Sequence, residues 1–388
     1  MSGTGASDST LRVTHVISGL TSGGAEGVLA RLAPAMAAAA DGRAVRSTVI
    51  SLRDEGVHGS GLRQAGITVE AIGMDRGRLD LRWIPRLLRA VRTSRPDVVQ
   101  TWLYHGDLLG GIAGRLVARP VVWNVRQMLG PEGPPTHRRL VATCARLSRI
   151  VPRSIVAVSE AARDDHIRAG YDAARFRVIP NGFDLDAFQP DAGARAEVRR
   201  ELGLAPDALL LGLVARDDPH KDHESAIEAL ALLRRRWPDI HLVACGEGVD
   251  PDNERLAAAL RSSGVADACR LLGARRDMPR LQAAWDVALS TSINEGLSNA
   301  IGEALACGVP AVVTEGGATA DLVGEAGVAV PARDPAAVAA AVSALLARPP
   351  DQRAALSRTA RHAAATHSME RAVASYRDLY QEVVEGDC

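Results

Sequence analysis

The sequence predicts two doubly wound α/β domains in succession, and two observations support this. Short apolar, β-branched runs alternate with helical stretches rich in Ala, Leu and Arg along nearly all 388 residues. Continuous apolar strands separated by helices indicate parallel sheets that are covered on both faces. The chain is also long enough for two hydrophobic cores, since a single core rarely grows beyond about 250–300 residues.

Six strands are predicted in each half of the chain. In the first half they are 12–18, 46–51, 67–72, 97–101, 120–125 and 154–159. In the second half they are 208–214, 240–245, 269–272, 286–290, 310–313 and 327–330. Two such series predict two Rossmann-like domains, and we expect these to face each other across a cleft at the carboxyl ends of their strands.

Turn-forming residues predict where the first domain ends. The segment "PNGFDLDAFQPDAG" (180–193) is rich in Pro, Gly, Asn and Asp, and the short helical stretch "ARAEVRRELGL" follows it. We therefore predict an N-terminal domain over residues 1–180 and a C-terminal domain over residues 181–365. Residues 366–388 are predicted to form a helix that crosses back to the N-terminal domain.

The net charge is zero, but it is unevenly distributed. Residues 1–180 contain 25 basic and 15 acidic side chains, whereas the remaining residues contain 21 basic and 31 acidic ones. Residues 82–92 and 138–153, both in the basic half, combine arginines with apolar side chains. This pattern is typical of helices on an anionic membrane surface, and also of amphipathic helices packed on a sheet.

Cysteine usage and hydropathy predict a cytoplasmic protein that contacts the membrane peripherally, if at all. The five cysteines include no CxxC pair, which disfavours a disulfide scaffold or a zinc site. The first ten residues are polar, without the apolar core of a signal peptide, and no apolar run is long enough to span a membrane. We expect a monomer or homodimer that does not bind nucleic acid.

Lys221 is the only lysine among 46 basic residues. It follows a predicted strand in "GLVARDDPHKDHES", five residues after Arg216, and opens the next predicted helix. Two cations on one loop can bind two oxygens of a diphosphate, the arginine through its fork and the lysine as a point charge. The alternative is a solvated charged loop, because several acidic residues lie nearby.

Two glutamates, Glu295 and Glu303, are separated by seven residues in "NEGLSNAIGEALACGVPAVVT". A helix is predicted to start near Asn299, and its free amides can bind hydroxyl or phosphate oxygens. Glu303 then lies inside that helix, where a carboxylate can accept two hydrogen bonds from a vicinal diol such as ribose.

Two features of the first half are less specific evidence for a binding site. Gly23 and Gly24 lie in a strand-to-helix turn, where glycine lets the backbone approach an anion closely. His105 follows the fourth predicted strand and is expected at the edge of the cleft. Packing alone would explain either feature.

Taken together, "SGGAEG", "VARDDPHK", "CGEG" and "NEGLSNAIGEALACGVPAVVT" resemble, in this order, the family 4 retaining glycosyltransferases of the GT-B fold. The resemblance extends from about Leu11 to Tyr380. It implies transfer of a sugar, with retention, from a nucleotide diphosphate sugar to an acceptor hydroxyl in bacterial polysaccharide or glycoconjugate assembly. A UDP-sugar is preferred as donor, with residues 1–180 on the acceptor side and residues 181–365 on the donor side.

The resemblance also implies roles for individual residues. Catalytic roles fall on His105, Arg216, Lys221 and Glu295. Donor-binding roles fall on Gly23, Gly24, Arg216, Lys221, Gly246, Glu247, Arg275, Glu295, Gly296, Leu297, Ser298 and Glu303. Asp107 and Arg126 are candidates for acceptor binding.

We expect no cofactor and no metal, since cationic side chains can replace a metal at a diphosphate. The acceptor is a polyprenyl-linked glycan or a small molecule. Three alternatives stay open: a natural-product glycosyltransferase, a GT-B-type phosphorylase carrying pyridoxal phosphate on Lys221, and a non-catalytic nucleotide-sugar binder.

Overall fold

The computed structural model describes residues 10–38, 44–74, 82–129 and 134–386. The polar N-terminal residues 1–9 and Cys388 lie outside these ranges. The chain divides into two compact units. Unit 1 comprises Met1–Gly182 and Met369–Cys388, and unit 2 comprises Phe183–Ser368.

Unit 1 contains a seven-stranded parallel sheet in the order β3-β2-β1-β4-β5-β6-β7. Its strands are β1 Leu11–Ile17, β2 Val45–Ser51, β3 Thr68–Ala71, β4 Val98–Trp102, β5 Val121–Val125, β6 Ser154–Ala157 and β7 Phe176–Val178. Strand β7 was not predicted, because its three residues are too few to show an apolar run. The other six match the predicted strands within about two residues at each end.

Helices cover both faces of this sheet, as the uninterrupted apolar strands predict. Those of unit 1 are α1 Gly24–Ala38, α2 Gly59–Gln64, α3 Trp83–Thr93, α4 Leu103–His105, α5 Gly111–Leu116, α6 Pro135–Leu147, α7 Glu160–Arg168 and α16 Met369–Glu385. Alternate strand residues face opposite sides. Val13 and Ile17 pack with side chains of α1, α2 and α16, whereas Val16 packs with those of α3, α5 and α6.

Unit 2 contains a six-stranded parallel sheet in the order β10-β9-β8-β11-β12-β13. Its strands are β8 Leu209–Val214, β9 Ile240–Cys245, β10 Cys269–Leu271, β11 Val287–Ser290, β12 Ala311–Thr314 and β13 Gly327–Val330. All six were predicted. In both units the strand order reverses once, which makes each sheet doubly wound.

The helices of unit 2 follow the same logic. They are α8 Ala192–Glu201, α9 His223–Leu233, α10 Glu254–Ser262, α11 Met278–Ala283, α12 Asn299–Ala306, α13 Thr319–Val323, α14 Pro335–Leu346 and α15 Pro350–Ala365. One core lies between the sheet and α9, α10 and α14. Close packing also fixes α12, because a Cβ on Gly302 would lie 1.9 Å from the Phe183 ring. Only glycine therefore fits at this position.

Candidate active site

The strand order of unit 2 reverses between β8 and β11, which are hydrogen-bonded neighbours. In open α/β sheets the crevice at such a reversal, beyond the carboxyl ends of the strands, is where ligands bind. Two loops leave the sheet here, residues 215–222 after β8 and residues 291–298 after β11. They contain Arg216, Lys221 and Glu295.

Lys221 ends a single 3₁₀ turn, Pro219–Lys221, rather than opening the following helix as the sequence suggested. The side chain of Asp218 accepts a hydrogen bond from the amide of His220 and so starts this turn. Asp222 then adopts a left-handed conformation, with φ of 46°, and caps α9 through the amide of Ser225. The strained residue thus separates two well-capped segments and fixes the position of Lys221.

The ammonium of Lys221 forms an ion pair with Glu295, the first of the two glutamates singled out in the sequence. Its Nζ lies 2.6 Å from Oε2 of Glu295, and each side chain is about 21% exposed. The hydroxyl of Ser292 donates to the same carboxylate oxygen at 3.0 Å. Residues far apart in the sequence therefore form one polar cluster at the reversal point.

Hydrogen bonds between the two loops hold this cluster in place. The Thr291 hydroxyl donates to the carbonyl of Lys221 at 3.0 Å and to that of Asp222 at 2.8 Å. The amide of Ile293 donates to the carbonyl of His220 at 2.8 Å. The Thr291 contacts were not predicted, and the only sequence signal was the polar run "STS" (290–292), which begins at the last residue of β11.

A glycine pair after β12 supports the loop from its other side. The amide of Glu295 donates to the carbonyl of Gly316 at 2.8 Å. A Cβ on Gly317 would lie 1.7 Å from the carbonyl oxygen of Glu295. The sequence "TEGGAT" contained this signal, since adjacent glycines after a strand often mark close backbone contact.

Arg216 lies on the outer side of the same region. Its guanidinium forms an ion pair with Asp218, with Nη2 2.8 Å from Oδ2, and its side chain is 54% exposed. An exposed pair of this kind contributes little to stability. The guanidinium can therefore exchange Asp218 for a ligand anion at small cost.

The helix that contains Glu303 begins where it was predicted. Ser298 is its N-cap, and the Ser298 hydroxyl accepts a hydrogen bond from the amide of Ile301 at 3.4 Å. Ser298 was also predicted to bind the donor substrate. Its amide donates a hydrogen bond to the Thr319 hydroxyl at 3.0 Å. Gly296, Leu297 and Glu303 are buried.

Glu303 lies close enough to Cys307, the C-cap residue of α12, to affect the pKa of its thiol. Burial raises the pKa of the Cys307 thiol to about 12, and the nearby Glu303 carboxylate adds to the increase. The four described cysteines, Cys144, Cys245, Cys269 and Cys307, are buried and free.

The remaining donor-side candidates lie after β9 and β10. Gly246 has φ of 152°, and a Cβ there would lie 2.0 Å from the carbonyl oxygen of Ala215. The carbonyl of Glu247 accepts the amide of Asp217 at 2.8 Å, which ties this loop to that of Arg216. The guanidinium of Arg275 is held by Asp277 and Glu201.

Unit 1 contains the other predicted residues near its own reversal point, between β1 and β4. Gly24 begins α1, and the Glu26 carboxylate occupies the space beside Gly23, 2.3 Å from where a Cβ would stand. His105 ends the single turn after β4, and its side chain is exposed. Partial loss of hydration lowers the pKa of His105, and His137 lowers it further.

Asp107 is fully buried in unit 1. Its Oδ1 accepts the Thr101 hydroxyl at 2.5 Å and the amide of Asn124 at 3.4 Å, whereas Oδ2 has no partner among the described residues. Burial raises the pKa of Asp107 to about 8. This placement favours a structural role for Asp107 over acceptor binding.

Arg126 is engaged within unit 1. Its Nη1 donates to the Tyr376 hydroxyl at 3.2 Å and to Asn124 Oδ1 at 3.3 Å, and the guanidinium lies 5.7 Å from the Trp102 ring centroid. Burial lowers the pKa of Arg126. Tyr376 belongs to α16, so Arg126 helps to hold the C-terminal helix in this unit.

Residues 10–38, 44–74, 82–129 and 134–386 contain no group of three or more His, Cys, Asp or Glu side chains placed to hold a metal ion. Within the same ranges, no helix has the length and apolar character needed to cross a membrane.

The architecture and its family matches define the class of this protein. Its two sheets are those of GT-B glycosyltransferases, such as HepE from Anabaena solved with UDP-glucose, which superposes with a TM-score of 0.83 at 22% identity. That superposition covers 97% of this chain and 100% of HepE. Two family models match: Glycosyltransferase Family 4 over residues 22–187, and Glycosyl transferases group 1 over residues 206–348.

Sequence relatives show the family. D-inositol 3-phosphate glycosyltransferase of Xylanimonas cellulosilytica is 32% identical over 308 residues, covering 74% of this chain and 72% of the relative. The Geodermatophilus obscurus protein of that name is 38% identical over 230 residues, 56% of this chain, and the match spans about half (49%) of the relative's length. The chain belongs to glycosyltransferase family 4.

The buried Asp107 predicts a pH effect on the stability of unit 1. Its folded pKa of about 8 exceeds its ordinary value of 3.8, so the folded state binds the proton more tightly. The stability from this proton is complete below about pH 4 and is lost as the pH rises through about 8. Over that window, the wild type should lose up to about 1.4 kcal/mol per pH unit relative to Asp107→Asn.

Urea unfolding of both proteins from pH 4 to pH 9 measures this difference. Asp164→Asn is the matched control, because it removes an exposed carboxylate of the same unit and should leave the pH dependence in place. A constant difference between wild type and Asp107→Asn would contradict the assignment.

Proposed function

We propose that the chain transfers a hexosyl or N-acetylhexosaminyl group, with retention, from a nucleotide diphosphate sugar to an acceptor hydroxyl. The observation that supports this most directly is the Lys221–Glu295 pair at the reversal point of unit 2. A cation for the diphosphate and a carboxylate for sugar hydroxyls are thereby adjacent. Binding energy directed at both parts of the donor is what such a transfer requires.

The chemistry centres on the charge that develops on the leaving diphosphate. Arg216, Lys221 and the N-terminus of α12 are proposed to stabilise that charge, as fixed cations and amides do where a leaving group departs. The acceptor hydroxyl attacks from the face on which the diphosphate leaves, and a phosphate oxygen takes its proton. No side-chain nucleophile is then needed.

The other residues keep their proposed roles through the family resemblance. Glu303 is proposed to bind the ribose, and Gly246, Glu247 and Arg275 to lie near the base. His105 is proposed to contact the transferred sugar, and Gly23 and Gly24 to approach the phosphates. The donor is proposed to be a UDP-sugar, in keeping with the UDP-glucose bound by HepE.

We propose that the acceptor is a polyprenyl-linked glycan, which requires access to a membrane surface. Helices α3, α5 and α6 pack on one face of the unit 1 sheet. They contain seven arginines and no acidic residue, and all seven side chains are exposed: Arg86, Arg89, Arg92, Arg115, Arg138, Arg139 and Arg146. No ion pair joins these seven to another residue of the described ranges.

Exposed apolar side chains lie on the same layer. Ile84 on α3, Ile112 and Leu116 on α5, and Ile150 just after α6 are 38–64% exposed. Leu87, Ala90 and Val91 of α3 are buried against the sheet, so the helix packs on the sheet and presents its arginines outward. Arginines with interspersed apolar side chains suit an anionic bilayer surface.

The arginine layer predicts salt-sensitive binding to anionic vesicles. Arg86→Gln, Arg89→Gln and Arg92→Gln combined should lower binding, since each basic residue near such a surface contributes about 1 kcal/mol. Vesicle co-sedimentation at low and high salt measures this. A control with three exposed arginines of unit 2 changed, Arg235→Gln, Arg261→Gln and Arg358→Gln, should bind like wild type. Equal partitioning onto neutral and anionic vesicles would contradict the proposal.

Lys221→Arg tests the role of the lone lysine. A guanidinium keeps the charge but spreads it over a wider planar group, so close approach to one oxygen is lost. The variant should fold and bind nucleoside diphosphate but turn over at least about tenfold more slowly, a loss of about 1.4 kcal/mol. The turnover rate of Lys221→Ala should fall by a factor on the order of 10²–10³.

Steady-state turnover with a UDP-sugar measures both variants. Arg234→Lys is the matched control, because Arg234 pairs with Asp267 on the surface of the same unit. A wild-type rate for Lys221→Arg would show that turnover does not require a lysine at this position.

Metal independence is also proposed, because two cations can neutralise the diphosphate without a divalent ion. Treatment with EDTA should leave the transfer rate within about twofold of the untreated enzyme, as a diphosphate held by Arg and Lys needs no metal bridge. Loss of activity that Mn²⁺ or Mg²⁺ restores would refute this.

A further inference from the structure

Lys221 has an anionic partner within its own chain. Oε2 of Glu295 lies 2.6 Å from Nζ, a short contact for a charge-assisted hydrogen bond. Within 4 Å, no other carboxylate of the described residues forms an ion pair with Nζ. Any phosphate that binds Lys221 must therefore displace this carboxylate or share the ammonium with it.

Both partners are positioned by contacts within unit 2. Thr291 fixes the backbone of Lys221, and Gly316 fixes the amide of Glu295. Ser292 orients the carboxylate itself. The ion pair is thus a feature of the folded loops, and its side chains are partly shielded from water, where charge interactions are less screened than at an exposed surface.

We propose that Glu295 competes with the diphosphate for Lys221 and thereby weakens retention of the nucleoside diphosphate product. This inference rests on the proposed function. In the intact donor, sugar hydroxyls give the Glu295 carboxylate new partners when it releases Lys221. The product has no sugar, so the carboxylate gains nothing in exchange and returns to the ammonium.

The consequence is a difference between donor and product at one site. A carboxylate that can bind either the lysine or the sugar lowers the affinity for the product more than the affinity for the donor. Product release limits the turnover of many enzymes, and where it does, faster dissociation of the product raises the overall rate.

Glu295→Gln tests the competition, because it keeps the size of the side chain and removes its charge. Isothermal titration with UDP, and with GDP in parallel, should show product binding about threefold to tenfold tighter than in wild type. UDP-glucose should gain less or bind more weakly. Glu315→Gln is the matched control: this exposed glutamate follows β12 at the same sheet edge, and its loss should leave UDP affinity unchanged.

A double-mutant cycle with Lys221→Met separates competition from direct repulsion between carboxylate and phosphate. Without the ammonium, Glu295→Gln should no longer change UDP affinity. A gain that persists in the Lys221→Met background would overturn the inference, as would unchanged or weaker UDP binding by Glu295→Gln, or an equal gain in Glu315→Gln. Failure of wild type to bind either nucleotide would instead overturn the proposed function and the inference with it.

Discussion

The carboxylate of Asp286 joins the two strands on which the candidate site depends. One of its oxygens accepts the amide of Leu210 in β8 and the guanidinium of the buried Arg199 in α8, each at 2.8 Å. The other accepts Arg195 at 2.6 Å. Asp286 immediately precedes β11, so this cluster pins β11 to β8 at their amino ends. Removing one partner of such a buried pair typically costs about 3–5 kcal/mol.

The opposite ends of the same strands lead into the loops of the candidate site. Because β8 and β11 are adjacent, the loops that follow them start side by side, and Lys221 meets Glu295 across 74 residues of sequence. Backbone contacts then hold the loop that contains Glu295. Gly316 and Gly317 have no Cβ, so the backbone of residues 293–295 can pack directly against them. Because the loop is supported through its backbone, the Glu295 carboxylate is left to pair with Lys221 and Ser292.

The sequence predicted much of the fold because parallel strands buried on both faces are uninterrupted apolar runs. It missed β7, whose sequence "FRV" includes an exposed arginine and is too short to show a pattern. The start of α12 was predicted from the turn before Asn299. Lys221 was predicted at the start of a helix. In the structure it ends a 3₁₀ turn, and the left-handed Asp222 separates that turn from α9.

Side-chain partners could not be predicted, because sequence spacing does not show which loops meet. Lys221 and Glu295 were identified in separate motifs, and their direct contact follows only from the strand order. Asp107 and Arg126 were both placed at an acceptor for the same reason. The fold instead buries Asp107 beside Thr101 and sets Arg126 against Tyr376 of α16.

The contrast between Lys221 and the surrounding arginines follows from their geometry. Where this chain needs a permanent contact it uses the arginine fork, as when Arg199 binds Ala208, Ala284 and Asp286 together. A fork held by several acceptors in fixed directions cannot change one partner without losing the others. An ammonium has no preferred plane, and its flexible stem lets it turn from a carboxylate to a phosphate oxygen at small cost. At the position proposed to exchange a carboxylate for a phosphate, a lysine therefore suits the exchange better than a fork held by several acceptors, such as that of Arg199.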